Sequence, residues 1–142
     1  MGKVEKNILF ITLLKIDSIN SRGIYSDLLR EFNSDNHNIT IVSPVERREK
    51  KSTVFFIKDG VNYIQVKTLN IQKTNIIEKG IGTILIEFQF LKALKKYTKN
   101  IKFDLVFYST PPVTLYRPIK YIKMRDSATS YLLLKDIFPQ NA

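Results

Sequence analysis

"NILFITLLKIDSINSRGIYSDLLREFNSDNHNITIVSP", residues 7–44, decides the fold. Its first eight residues are β-branched and aromatic-rich without strict alternation, the pattern of a strand buried on both faces of a parallel sheet. After the polar stretch Lys15 to Gly23, Ile24, Leu28 and Phe32 recur at helical spacing with Tyr25 and Leu29 beside them, and Ser21 stands where an N-cap is expected. "NITIVSP" then reads as a second strand, stopped by Pro44. Strand, helix and strand of these lengths make a crossover unit, which calls for a parallel sheet.

The rest of the chain repeats the alternation. "VERREKK" reads as a charged loop, and "STVFFIKDGVNYIQVKT" as two strands around Asp59-Gly60, a dipeptide that accepts the positive φ angles of a tight type I′ turn. "NIQKTNIIEKG" has no clear period and is expected to be loop or a short irregular helix. From Ile81 onward a helix is predicted with Ile81, Ile84, Leu85, Phe88, Leu91 and Leu94 facing inward and Lys92, Lys95, Lys96 and Lys99 on the other side. "FDLVFYSTPP" is a buried strand ended by Pro111 and Pro112, and a helix over 113–125 turns Leu115, Ile119 and Ile122 inward. "TSYLLLKDIFP" supplies the last strand. The expected fold class is α/β, Rossmann-like, with a mainly parallel open sheet flanked by helices.

A chain of 142 residues, 44% hydrophobic, fits one domain with a proper core. It has no cysteine, which excludes disulfides and thiolate metal sites, and its one histidine, His37, lies in a polar stretch and is expected to be solvated. No metal site is expected. No apolar run is long enough to span a bilayer, and Ile8 to Leu14 is read as a strand in place of a signal peptide. The net charge of +10 implies an anionic partner, a membrane surface or phosphorylated substrate, or serves solubility alone. No zinc finger, helix-turn-helix or aromatic RNA-binding strand supports nucleic acid as that partner.

In open parallel sheets ligands bind beyond the carboxyl ends of the strands. Three segments qualify there: Lys15 to Gly23, Ser109 to Pro112, and Lys135 to Pro139. The first lacks the G-x-G-x-x-G pattern of a dinucleotide site, and neither a P-loop nor a nucleophile elbow occurs. Gly23 doubles as a loop residue that admits the chain to its helix. Ser109 and Thr110 offer hydroxyls to a sugar or phosphate, although "STPP" equally suits a strand stop and helix start. Asp136 is placed to accept a proton or bind a hydroxyl, or to cap, with Lys135 next to an anion.

"NILFIT" with its loop and helix, "DGVNYIQVKT", "FDLVFYSTPPVTLY" and "YLLLKDIFPQNA" together resemble the N-terminal half of GT-B glycosyltransferases of the family 4 type, near the bacterial capsule and O-antigen enzymes. The resemblance covers essentially the whole chain; its last two segments are the specific ones. It implies a two-lobed transferase, of which residues 1–142 are the acceptor-side lobe and the donor lobe is absent. The chain would then stop where the first domain of a longer enzyme is nearly complete. By this resemblance, Ser109, Thr110, Pro111, Pro112 and Lys135 line an acceptor site, and Asp136 is the catalytic candidate. Ser21, Arg22 and Gly23 replace the paired glycines common in the family, which weighs against a donor-phosphate contact from that loop.

The resemblance further implies hexosyl or aminohexosyl transfer, retaining and metal-free, from a nucleotide-sugar held mainly by the other lobe and with no cofactor. The acceptor would be lipid-linked or saccharide, in surface polysaccharide synthesis. Placement would be cytoplasmic, peripheral on the inner face of the plasma membrane, with Lys92, Lys95, Lys96 and Lys99 facing anionic lipid; these residues alone would be inactive. Two other readings stay open: a free-standing basic α/β module that binds membrane or nucleic acid, and a complete small enzyme with Asp136 as base.

Overall fold

The computed structural model describes residues 3–69, 75–109 and 112–133. Strands β1 (Asn7–Ile11), β2 (Asn38–Glu46), β3 (Val54–Lys58), β4 (Val61–Thr68), β5 (Leu105–Ser109) and β6 (Thr129–Leu133) form one sheet in the order β3-β4-β2-β1-β5-β6. All pairs are parallel except β3 with β4. Helices α1 (Ile24–Ser34), α2 (Ile76–Tyr97) and α3 (Tyr116–Asp126) connect them. This is the Rossmann-like α/β class expected from the strand and helix pattern. The chain leaves β1 towards β2 and β4, then returns to β5 and β6 on β1's other side, so the direction reverses between β1 and β5.

Because side chains alternate across a strand, two cores form. Leu9, Ile11, Val42, Ile64, Val66 and Val106 face Ile86, Phe90, Ala93 and Leu94 of α2 and Ile119 and Ile122 of α3. Phe10, Ile41, Tyr63 and Phe107 face Tyr25 and Leu29 of α1 and Ile16 and Ile19 of the β1–α1 loop. The Asp59-Gly60 turn has φ of 53° and 75°, the two left-handed residues that a type I′ hairpin needs.

Four expectations need correction. Pro44 does not stop β2, which runs to Glu46. The Thr12 amide donates to the Val42 carbonyl at 3.1 Å, so Val42 turns its backbone groups towards β1 and Pro44, two residues on, turns that way too. β1 has ended at Ile11, so the missing N–H costs no ladder bond.

Ser21 is not the cap of α1; its hydroxyl donates to the Ser18 carbonyl, and Gly23 holds the cap position at φ 155°, ψ 154°. A Cβ there would meet nothing, so the backbone angle, not space, favours glycine. His37 is half-buried, with Nδ1 accepting from the Lys6 amide at 3.2 Å and its ring edge-on to Phe32.

The fourth concerns α2, which starts at Ile76 and so includes residues read as loop. Its inward face is Ile86, Phe90, Ala93 and Leu94, while Ile84 is 69% and Phe88 51% exposed, and Ile81 and Leu85 are also exposed. Between Ile81 and Leu91 apolar residues stand on every side of the helix, so periodicity cannot choose a face there. The lysine-rich second half chooses it: with Lys92, Lys95, Lys96 and Lys99 outside, Ala93 and Leu94 must point in, and helical spacing carries that face back to Phe90 and Ile86.

Candidate functional site

The α1-side face of the sheet changes character within one step of two residues. Phe107, Phe10, Ile41 and Tyr63 lie in register across β5, β1, β2 and β4 as an aromatic and aliphatic row. Two residues nearer the carboxyl ends, the same strands present Ser109, Thr12, Ser43 and Gln65, all buried. Polar side chains at these positions gain nothing from burial unless they are paired or used.

They are partly paired. Thr12 and Ser109, one on each side of the reversal between β1 and β5, share one hydrogen bond at 3.1 Å, and Thr12 Oγ1 also accepts from the Leu14 amide at 3.1 Å. Among the described residues this shared bond uses one of the two O–H groups. Ser43 Oγ has no partner. Gln65 Nε2 donates to Asp17 Oδ1 at 3.1 Å, and Asp17, whose side chain is exposed, is the surface member of the set.

Asp17 sits on the β1–α1 loop, which is fastened at several points. The Ile19 amide donates to Tyr63 Oη at 3.0 Å. Burial raises the Tyr63 phenol above its ordinary pKa, more than that bond lowers it, so the ring stays a neutral anchor. Lys15 Nζ reaches Glu49 at 2.6 Å and Asp17 at 3.5 Å. The bond to Glu49 raises the Lys15 ammonium and lowers the Glu49 carboxyl. Arg30 donates to the carbonyls of Ile19 and Ser21, and Asn20 Nδ2 to Asp59 at 2.9 Å.

Of the residues singled out from the sequence, Ser109 stands in this layer, 2% exposed. Pro112 begins a 3₁₀ turn, Pro112–Leu115, just past β5. Thr110, Pro111, Lys135 and Asp136 lie outside the described residues. Ser21, Arg22 and Gly23 are exposed at the start of α1, apart from the layer's hydrogen bonds. Lys92, Lys95 and Lys96 are exposed on α2 and Lys99 just past its end, with Lys95 over the Tyr121 ring and Lys96 over Tyr97.

Sequence reading missed Thr12, Ser43, Gln65 and Asp17. The signal was there in "FIT", "IVS", "YIQ" and "FYS": in each, two apolar or aromatic residues are followed by a polar one. Among the described residues no cluster of acidic or histidine side chains could hold a metal ion, and no helix is long and apolar enough to cross a membrane.

No family model matches the chain, and no curated protein matches it. Among solved structures, the glycotransferase of kitacinnamycin superposes with a TM-score of 0.60 at 16% identity, over 93% of this chain and 31% of its own. The chain thus spans about a third of that protein. The C-terminal domain of a hydrogenase from Pyrococcus furiosus superposes with a TM-score of 0.53 at 13% identity, over 92% and 95% of the two chains. At such identities the likeness is one of fold, and a fold shared by a transferase and a hydrogenase domain leaves activity to be argued from the site.

Proposed function

We propose that these residues form the acceptor-binding lobe of a glycosyltransferase. The observation that carries the reading is the polar layer of Thr12, Ser43, Gln65 and Ser109 with Asp17 at its surface, lying where the sheet reverses direction. Uncommitted hydroxyls and a carboxylate suit a ligand dense in hydroxyl groups, because each can trade a hydrogen bond without a charge penalty. The transferase superposition supports this reading over a dehydrogenase, and the β1–α1 loop has no glycine-rich phosphate turn.

In this reading a second lobe outside these 142 residues holds the nucleotide-sugar, and the transfer is of the hexosyl type, retaining and without metal or cofactor. The acceptor is lipid-linked or saccharide, and the family 4 capsule role, with Lys135 and Asp136 at the acceptor, belongs to the same proposal. The test is amide-shift mapping of the chain with soluble oligosaccharide acceptors. Shifts centred on Thr12, Asp17, Ser43, Gln65 and Ser109, abolished in Asp17→Asn, are expected. Shifts elsewhere refute the site, and sugar transfer by these residues alone refutes the two-lobe arrangement.

The outward face of α2 favours peripheral attachment to the inner, anionic face of the plasma membrane as part of this function. Ile76, Ile77, Ile84 and Phe88 are exposed, and three exposed lysines follow on the same helix, with Lys99 just past its end. Vesicle co-sedimentation tests it: reversing Lys92, Lys95, Lys96 and Lys99 to Glu, or Ile84 and Phe88 to Ser, should each release the protein. Unchanged sedimentation of both variants removes the idea.

A further inference from the structure

A second site lies at the carboxyl end of β2, separate from the polar layer. There the 3₁₀ turn Arg47–Glu49 and the segment leading to β3 fold over the end of β4 and enclose an open cavity of about 490 Å³. Arg47, Arg48, Lys50, Lys51, Ser52 and Lys67 line it. Five of the six are cations, and among the described residues no carboxylate lines it.

Two carboxylates stand nearby, and each pairs with a cation of the lining: Glu46 with Arg48 at 2.8 Å, and Glu49, held by Lys15 at 2.6 Å, with Lys51 at 3.9 Å. Among the described residues Arg47, Lys50 and Lys67 have no acidic partner. The cluster is held in place by the backbone. Lys50 takes the left-handed conformation, φ 53°, with its amide donating to the Arg47 carbonyl at 3.0 Å, and the Lys67 amide donates to Thr53 Oγ1 at 2.9 Å. Like charges gathered by backbone geometry repel one another, and an unexplained excess of this kind is relieved by a bound anion.

From this geometry we infer that the cavity binds a phosphate-dense oxyanion, one carrying two or more phosphate groups. Guanidinium forks grip phosphate oxygens in pairs, and the three ammoniums add point charges around them. A single phosphate would engage only part of a cluster spread over a 3₁₀ turn, the segment that follows it and β4. The inference is independent of the acceptor reading and can fail without it.

Calorimetric titration of the 142-residue chain tests it, with inorganic tripolyphosphate and orthophosphate as probes. Tripolyphosphate should bind at least about tenfold more tightly than orthophosphate, and Arg47→Glu with Lys67→Glu should weaken it by about tenfold or more. Lys120→Glu with Lys123→Glu, the same change in net charge on exposed residues of α3, should stay within about twofold. Circular dichroism confirms that each variant is folded. Equal losses in the two variants would show a response to net charge alone and overturn the site, as would no binding of either probe.

A parallel arm uses phosphatidylcholine vesicles with and without phosphatidylglycerol. If the Arg47 and Lys67 variant loses tripolyphosphate and keeps vesicle binding, the ligand is a soluble phosphate compound. If it loses both, the phosphates belong to lipid headgroups.

Discussion

Replacing Asp126 with Asn should cost this fold about 2–3 kcal/mol at neutral pH, and the loss should fade in acid. Asp126 ends α3, buried, and accepts from Arg125 Nε at 2.6 Å, Arg125 Nη2 at 2.7 Å and the Phe103 amide at 2.9 Å. The same guanidinium donates to the carbonyls of Thr98 at 3.0 Å and Ile101 at 2.7 Å, so one clamp joins the ends of α2 and α3 to the entry of β5. Asn keeps one acceptor but turns an NH₂ towards existing donors and removes the charge from two bonds, whereas Ala, leaving the guanidinium without its carboxylate, should cost about 3–5 kcal/mol.

Burial alone would raise the Asp126 pKa, but the bonds from Arg125 and Phe103 outweigh it and hold it below the usual carboxylate value. A depressed folded pKa gives stability that is complete above the unfolded value, about 3.9, and lost as pH falls from there through the folded value. Urea unfolding should therefore show a gap between wild type and Asp126→Asn that is flat from pH 8 to 5. Below about pH 4 it should narrow, by at most about 1.4 kcal/mol per unit. A gap under about 0.5 kcal/mol at pH 7, or one that widens in acid, refutes the clamp.

Tyr63→Phe removes the acceptor of the Ile19 amide and should cost about 1–2 kcal/mol by urea unfolding, with faster amide exchange confined to residues 15–20. Pro44→Ala should cost about 1–2 kcal/mol, through lost buried ring carbons and a freer unfolded chain and not through the sheet, since the position has no neighbour strand on its N–H side; slowed exchange of the new amide at position 44 to the level of the β1–β2 ladder would mean β2 is paired differently there. Thr12→Val should cost about 1–2 kcal/mol through the stranded Leu14 amide, whereas Ser43→Ala, whose hydroxyl has no partner to lose, should leave stability unchanged or raised while weakening acceptor binding measured by amide shifts.

The fold was legible because its decisive signals are local. Short β-branched runs, the Asp59-Gly60 turn and the helical spacing of α1 and α3 each state their own conformation, and Leu115, Ile119 and Ile122 are buried as their spacing predicts. Pro44 and α2 misled for a common reason: the deciding fact lay in a neighbour. Proline ends a strand only if the bond it cannot make is needed, and that depends on where β1 stops. A helix with apolar residues on every side takes its face from whatever covers it, and α2 has Phe90 and Ile86 against the sheet because its lysines further along are turned outward.

The site was hidden for the same reason at a larger scale. Thr12, Ser43, Gln65 and Ser109 are each an unremarkable polar residue in or just past a strand, separated by up to 97 positions in the chain. Only the register of four parallel strands places them in one row. A single polar residue there could be a strand terminator, turned to water. Four in register are not, because all four are buried and a buried polar atom is kept against a cost. Thr12 and Ser109 offset that cost with each other, and Gln65 with Asp17; Ser43 has no such partner. Its hydroxyl is therefore the group in the layer whose retention a role in packing or stability does not explain.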